Sequence, residues 1–145
     1  MAEDMPMMND PDYASGVAAF EEKNFTAAMR FLIKFAEEGD ADAQHKVAIM
    51  YQNGLGVVAN DDNAFKWMKA AAEQGNAIAQ HGLGFMYMEG ECTAQDFGEA
   101  MCWFEKAADQ GLIGSMTTIA MMYEEGKGVD QDQEKAQEWY KKAGF

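Results

Sequence analysis

Basic residues are scarce in this chain: 11 Lys and Arg stand against 25 Asp and Glu, a formal net charge of −14. Such a surface repels phosphate backbones and anionic bilayers, so neither nucleic acid nor membrane is an expected partner. Proline is scarce too, with two residues, and so is cysteine, with Cys92 and Cys102 alone. Two Cys are too few to staple a fold of this size and read as free thiols, which suits a reducing, cytoplasmic setting. No run of about 18 apolar residues is present to cross a bilayer. The start, Met-Ala-Glu-Asp-Met-Pro-Met-Met-Asn-Asp, lacks the basic and apolar regions of a signal peptide; residues 1–10 are expected to be a loose tail. Only two Ser (Ser15, Ser115) and two His (His45, His81) occur, and no Ser/His/Asp or Cys/His constellation is evident, so no catalysis is expected.

Against these absences stands an ordinary globular balance, 48% hydrophobic and 25% charged. A chain of 145 residues can bury roughly 68% of its unfolded surface, enough for one cored domain. The strongest signal is internal. Shifted by 36 residues, the chain matches itself without gaps from Ala41 onward, in copies starting at Ala41, Ala77 and Ile113. Six slots are identical in all three: Met50/Met86/Met122, Tyr51/Tyr87/Tyr123, Gly54/Gly90/Gly126, Ala64/Ala100/Ala136, Trp67/Trp103/Trp139 and Ala71/Ala107/Ala143. A seventh is always aliphatic: Val47, Leu83, Ile119.

Each copy spells two helices. Val47, Met50 and Tyr51 recur at i, i+3, i+4, and Gly54 breaks that helix. Asn60, Asp96 and Asp132 share one slot ahead of the second helix, where a side-chain oxygen caps the first turn. Asp96 with Glu99 reads as a reciprocal capping box. The second helix carries Ala64, Trp67 and Ala71 and stops at a glycine, Gly75 or Gly111. Residues 11–40 read as a shortened first copy: Gly39 matches Gly75, Ala28 matches Ala64 and Phe31 matches Trp67. The expected domain is therefore 11–145, with a degenerate pair at 11–40 and repeats at 41–76, 77–112 and 113–145.

The strings Leu83-Gly-x-Met-Tyr-x-x-Gly90, Gly54-x-Gly-Val57 with Gly126-x-Gly-Val129, and Asp96-x-x-x-Ala-x-x-Trp103 resemble the Sel-one-like repeat (SLR) family, a branch of the tetratricopeptide-like α-solenoids. The resemblance implies an all-α fold: a short right-handed α-solenoid of about four antiparallel helix pairs. It also implies a non-catalytic protein–protein adaptor. One departure is Gly90-Glu-Cys-Thr93, where the second Gly and the Val are lost.

Three chemical motifs dissolve into the repeat. Gly54-Leu-Gly-Val-Val-Ala59 imitates a dinucleotide fingerprint but follows a helix, not a strand. Asp130-Gln-Asp132-Gln-Glu134 imitates a calcium loop but lacks its sixth-position Gly and twelfth-position acid. His45 and His81 share a slot, yet no third ligand has matching spacing. No metal and no cofactor are expected. The Trp67/Trp103/Trp139 ladder reads as core packing.

The resemblance further implies that the first helix of each pair lines a concave groove. Its first lining row is Tyr13, His45, His81 and Thr117; its second, entirely apolar, is Val17, Ile49, Phe85 and Met121. The third is Phe20, Gln52, Met88 and Glu124; the fourth is Glu21, Asn53, Glu89 and Glu125. The expected site is a groove with an apolar floor and an acidic rim for a protein or peptide bearing Lys or Arg. Phe85 is its expected anchor, mattering more for affinity than for folding. An alternative with the same charge logic is a small acidic inhibitor, such as an immunity protein neutralising a basic enzyme or toxin. At the other end of the chain, Tyr140, Ala143 and Phe145 are expected to leave an apolar end that self-associates weakly or is covered by Phe145.

Overall fold

The computed structural model describes residues 10–145, so the expected tail lies outside the described residues except for Asp10. All regular structure among the described residues is helical: α1 (Pro11–Glu21), α2 (Phe25–Glu37), α3 (Ala41–Asn53), α4 (Asp61–Glu73), α5 (Ala77–Glu89), α6 (Phe97–Asp109), α7 (Ile113–Glu125) and α8 (Gln133–Lys142). These are four helix pairs of an all-α solenoid. The chain gathers into two compact units, one ending at Gln74 and the other beginning at Gly75.

The boundaries follow local chemistry. Asp10, Asn24, Asp40, Asn60, Asn76, Asp96 and Asp132 each accept a backbone N–H of the helix they precede. Only α7 lacks such a cap, because Leu112 stands in the slot of Asp40 and Asn76. The anticipated box at Asp96 is half made. Its carboxylate accepts from the Glu99 amide at 3.0 Å, but its own N–H donates to the Tyr87 carbonyl at 2.8 Å. That N–H is therefore not available to the Glu99 side chain. The same bond joins Asn60 N–H to Tyr51 O (3.0 Å) and Asp132 N–H to Tyr123 O (2.9 Å). Each hairpin is thus closed by the peptide group that begins its second helix.

The Gly slot three residues past the first helix shows why the loop is so constrained. Gly56 is left-handed, and a Cβ there would stand 2.5 Å from the Phe25 carbonyl carbon. Gly128 repeats the conformation against Phe97. Cys92 fills this slot in the second copy and takes the same left-handed backbone, φ 66°. The loop geometry is kept there despite the side chain.

In the first unit the core is built from Leu32, Phe35, Val47, Met50, Met68 and the repeated alanines. In the second it is Ala100, Met101, Phe104, Ala108, Ile119 and Met122. Buried Gln44 accepts from Gln74 Nε2 at 2.8 Å and donates to the Ala36 carbonyl; Gln80 accepts from Gln110 Nε2 at 3.0 Å. A hydrogen-bonded Gln pair thus ties the first helix of a repeat to the end of the second. Trp67 and Trp103 are buried and Trp139 is half-buried. Each carries a Lys nitrogen over its ring, 4.7, 4.3 and 4.1 Å from the centroid.

Candidate functional site

Within the first unit, Val17, His45, Ile49, Gln52 and Phe20 are half-buried and Glu21 and Asn53 exposed. Tyr13 departs from the expected lining role. It is buried, its ring sits edge-on to Phe35 at 5.1 Å, and its hydroxyl donates to Asp40 at 2.8 Å. Asp40 is also the cap of α3, accepting from the Ala43 amide. Tyr13 therefore fastens α1 to the start of α3; burial and the Asp40 carboxylate push its hydroxyl pKa upward. Burial, with Lys46 adding to it and Asp42 opposing, holds His45 below the ordinary value of 6.5.

The second unit brings most of the remaining candidates together. Phe85 and Met88 of α5 face Thr118, Met121 and Glu125 of α7 across an open cleft with about 340 Å³ of free space, mouth included. Met122 forms part of its wall and Lys127 stands beside it, paired with Glu125 at 3.2 Å. Met121 is 45% exposed, a large share for a side chain so apolar. On the helix faces that carry the cleft lie Ile78 (58% exposed) and Ile113 (56%), spaced by three- and four-residue steps from His81 and Phe85 and from Thr117 and Met121.

Phe85 does two jobs. Its ring lines the cleft, but its other side meets His81 (4.8 Å) and Phe104 (5.1 Å) edge to face and packs on the core. The ring thus belongs to the core as well as to the cleft and is not the pure groove residue expected from its slot. His81 lies one turn away, and its Nδ1 shares a 2.7 Å hydrogen bond with buried Ser115 of α7. Burial alone holds His81 below 6.5. Thr117 turns its hydroxyl back onto the Ile113 carbonyl. Glu124 accepts from the Tyr140 hydroxyl at 3.4 Å, while Glu89 and Glu125 are exposed in the last turns of α5 and α7.

Sequence reasoning missed Thr118, Lys127, Ser115, Ile78 and Ile113. Three had a signal. Ser115 stands where the other copies have Ala43 and Ala79, Ile78 stands where the first has Asp42, and Ile113 stands where the others have Ala41 and Ala77. At the C-terminal pair Ala143 is buried and Tyr140 half-buried. Phe145 remains 79% exposed while its ring meets Tyr140 at 6.0 Å. Slots apolar in the three preceding pairs turn polar here: Met29/Phe65/Met101 become Gln137, and Leu32/Met68/Phe104 become Tyr140. Cys92 and Cys102 are unpaired with each other.

The comparisons agree with this architecture. A uropathogenic Escherichia coli protein, c5321, described as a protective antigen displaying an SLR fold, superposes with TM-score 0.87 at 31% identity, over 91% of this chain and 29% of that one. A Sel1 repeat protein from Oxalobacter formigenes gives 0.85 at 31% identity, over 93% of this chain and 54% of that one. This chain thus spans less than two thirds of either. Helicobacter pylori cysteine rich protein B shares the fold at TM-score 0.64 and 18% identity, over 83% of this chain and 86% of that one. No curated protein matches the sequence. The Sel1 repeat profile matches residues 13–40, 41–76, 77–112 and 115–144, nearly the whole described chain, and the chain belongs to the Sel1 repeat family.

Proposed function

We propose that this protein is a non-catalytic interaction scaffold that holds a partner segment on the exposed face of α5 and α7. Sel1 repeat proteins are generally protein–protein interaction scaffolds. The observation that carries the finer reading is Met121, an apolar side chain left open to solvent over the Phe85–Met88 cleft. Exposed methionines repack around differently shaped partners at little cost. The charge of −14 favours a basic partner, and a second reading, a small acidic inhibitor of one cationic protein, rests on that same charge.

The test is capture of protein partners by the immobilised chain, with Met121→Glu and Val58→Glu side by side. Both residues are exposed, so neither change should disturb folding. Loss of capture with Met121→Glu alone supports the reading. Equal capture by all three places binding elsewhere and rejects it. Capture of one basic protein whose association rate collapses as salt rises would favour the inhibitor.

A further inference from the structure

The two helices that frame the cleft carry their formal charge at one end only. α5 has no charged side chain before Glu89, and α7 none before Glu124 and Glu125, the histidine of α5 being neutral. The formal charge carried by these two helices is therefore negative and collected in their last turns, and Lys127, the cation that lines the cleft, lies beyond the end of α7. α3, the corresponding helix of the first unit, differs: Asp42 and Lys46 lie in its first half and its last turn is uncharged. Acids at a helix C-terminus oppose the macrodipole and weaken the helix. Glu124 is partly compensated by Tyr140 and Glu125 by Lys127. The last-turn carbonyls of Met88 and Glu124 are already taken by the side-chain amides of Gln95 and Gln131. Glu124 and Glu125 thus have partners within the fold, while Glu89 stands exposed at the end of α5 against the helix dipole. Sites that break a local rule without structural gain are where function is expected.

The apolar groups occupy the rest of the face. Ile78 and Ile113 stand at its N-terminal end, and the cleft of Phe85, Met88 and Met121 lies between them and the acids. From Ile78 to Glu89 the helix rises about 16 Å, and from Phe85 to Glu89 about 6 Å. The face is a strip, apolar along most of its length and anionic at one end.

Resting on the scaffold reading, we infer that this strip selects a partner segment with a Leu, Met or Phe side chain in the cleft and a Lys or Arg about 6 Å further along, over Glu89 and Glu125. That distance is one turn of a helix or two residues of an extended chain. The cation would join Lys127 in offsetting the negative charge of Glu89, Glu124 and Glu125, lowering the unfavourable charge at these helix ends. Specificity would lie in the spacing between anchor and cation rather than in either alone.

The experiment is panning a displayed library of random nine-residue peptides against the full chain at low salt. Titration of an enriched, fluorescently labelled peptide against wild type, Met121→Glu and the double variant Glu89→Gln/Glu125→Gln follows. The expected consensus is an apolar residue with Lys or Arg two or four positions away. Met121→Glu should weaken it about tenfold or more. The double variant should weaken it about two- to fivefold and flatten the salt dependence. Peptides that bind and are lost with Met121→Glu, but carry no basic residue or ignore the double variant, overturn this inference and leave the scaffold reading standing. A library yielding no peptide sensitive to Met121→Glu overturns both.

Discussion

Gly84 offers a sharp test of how the second unit is packed. It lies in the middle of α5, where Ala would add about 1 kcal/mol of helix propensity. Ala stands in the equivalent slot of α3 (Ala48) and α7 (Ala120), so the repeat itself recommends the change. The structure forbids it. A Cβ on Gly84 would lie 2.7, 2.8 and 2.9 Å from Cε1, Cδ1 and Cζ of Phe104, a fully buried ring held edge-on by His81 and Phe85. Overpacking of this kind costs about 1–3 kcal/mol. A rigid ring cannot yield as a flexible chain end does, so Gly84→Ala should lose about 1–2 kcal/mol net after the propensity gain. The first unit shows the matching solution, since Met68 stands in the Phe104 slot where Ala48 stands in the Gly84 slot. In a Phe104→Met background the same Gly84→Ala change should become neutral or stabilising, by up to about 1 kcal/mol. Urea melts of the four proteins form a double-mutant cycle with an expected coupling of about 1–3 kcal/mol. Gly84→Ala that stabilises the wild type, or acts equally in both backgrounds, would refute the packing argument.

Two further outcomes follow from local geometry. Cys92→Gly should raise stability by about 0.5–1 kcal/mol in urea melts, because a side chain in the left-handed region carries a penalty of about 1 kcal/mol or more that glycine avoids; a destabilised variant would sink the claim. For pH, His45 and His81 both titrate below 6.5 in the fold, so the unfolded chain binds more protons just below that value. Their contribution is complete above about pH 7 and is lost as pH falls through the folded values. Urea midpoints between about pH 8 and 5.5 should therefore decline toward acid, and His81→Asn should shrink that slope. An unchanged slope would show that His81 is not titrating as its burial requires.

Much of the fold was legible because repetition is a redundant message. One Asp or Asn before an apolar run is weak evidence, but Asn60, Asp96 and Asp132 in one register become a cap position. What escaped the sequence depends on geometry that periodicity does not encode. Tyr13 shares its row with two half-buried histidines, and only the fold brings Asp40 within reach of its hydroxyl. Phe85 occupies a lining slot, yet a helix face has width, and the ring that closes the cleft also closes the core. The bond between His81 and Ser115 joins residues 34 apart and was announced only by a Ser in an alanine slot. At Cys92 the second glycine is lost, yet the amide of Asp96 still closes that hairpin on Tyr87 and holds the backbone in place.

That last bond has a consequence for how the repeat can diverge. Asn60, Asp96 and Asp132 each close their hairpin with a main-chain N–H, and Tyr51, Tyr87 and Tyr123 receive it with a main-chain oxygen. Neither group belongs to a side chain, so the turn's register does not depend on which residues decorate it; only proline at the donating position would delete the link outright. The hairpins can be treated as fixed brackets, and the outward positions of α5 and α7 as interchangeable text between them. New surface chemistry can be written there one residue at a time, without renegotiating how each helix returns along its partner.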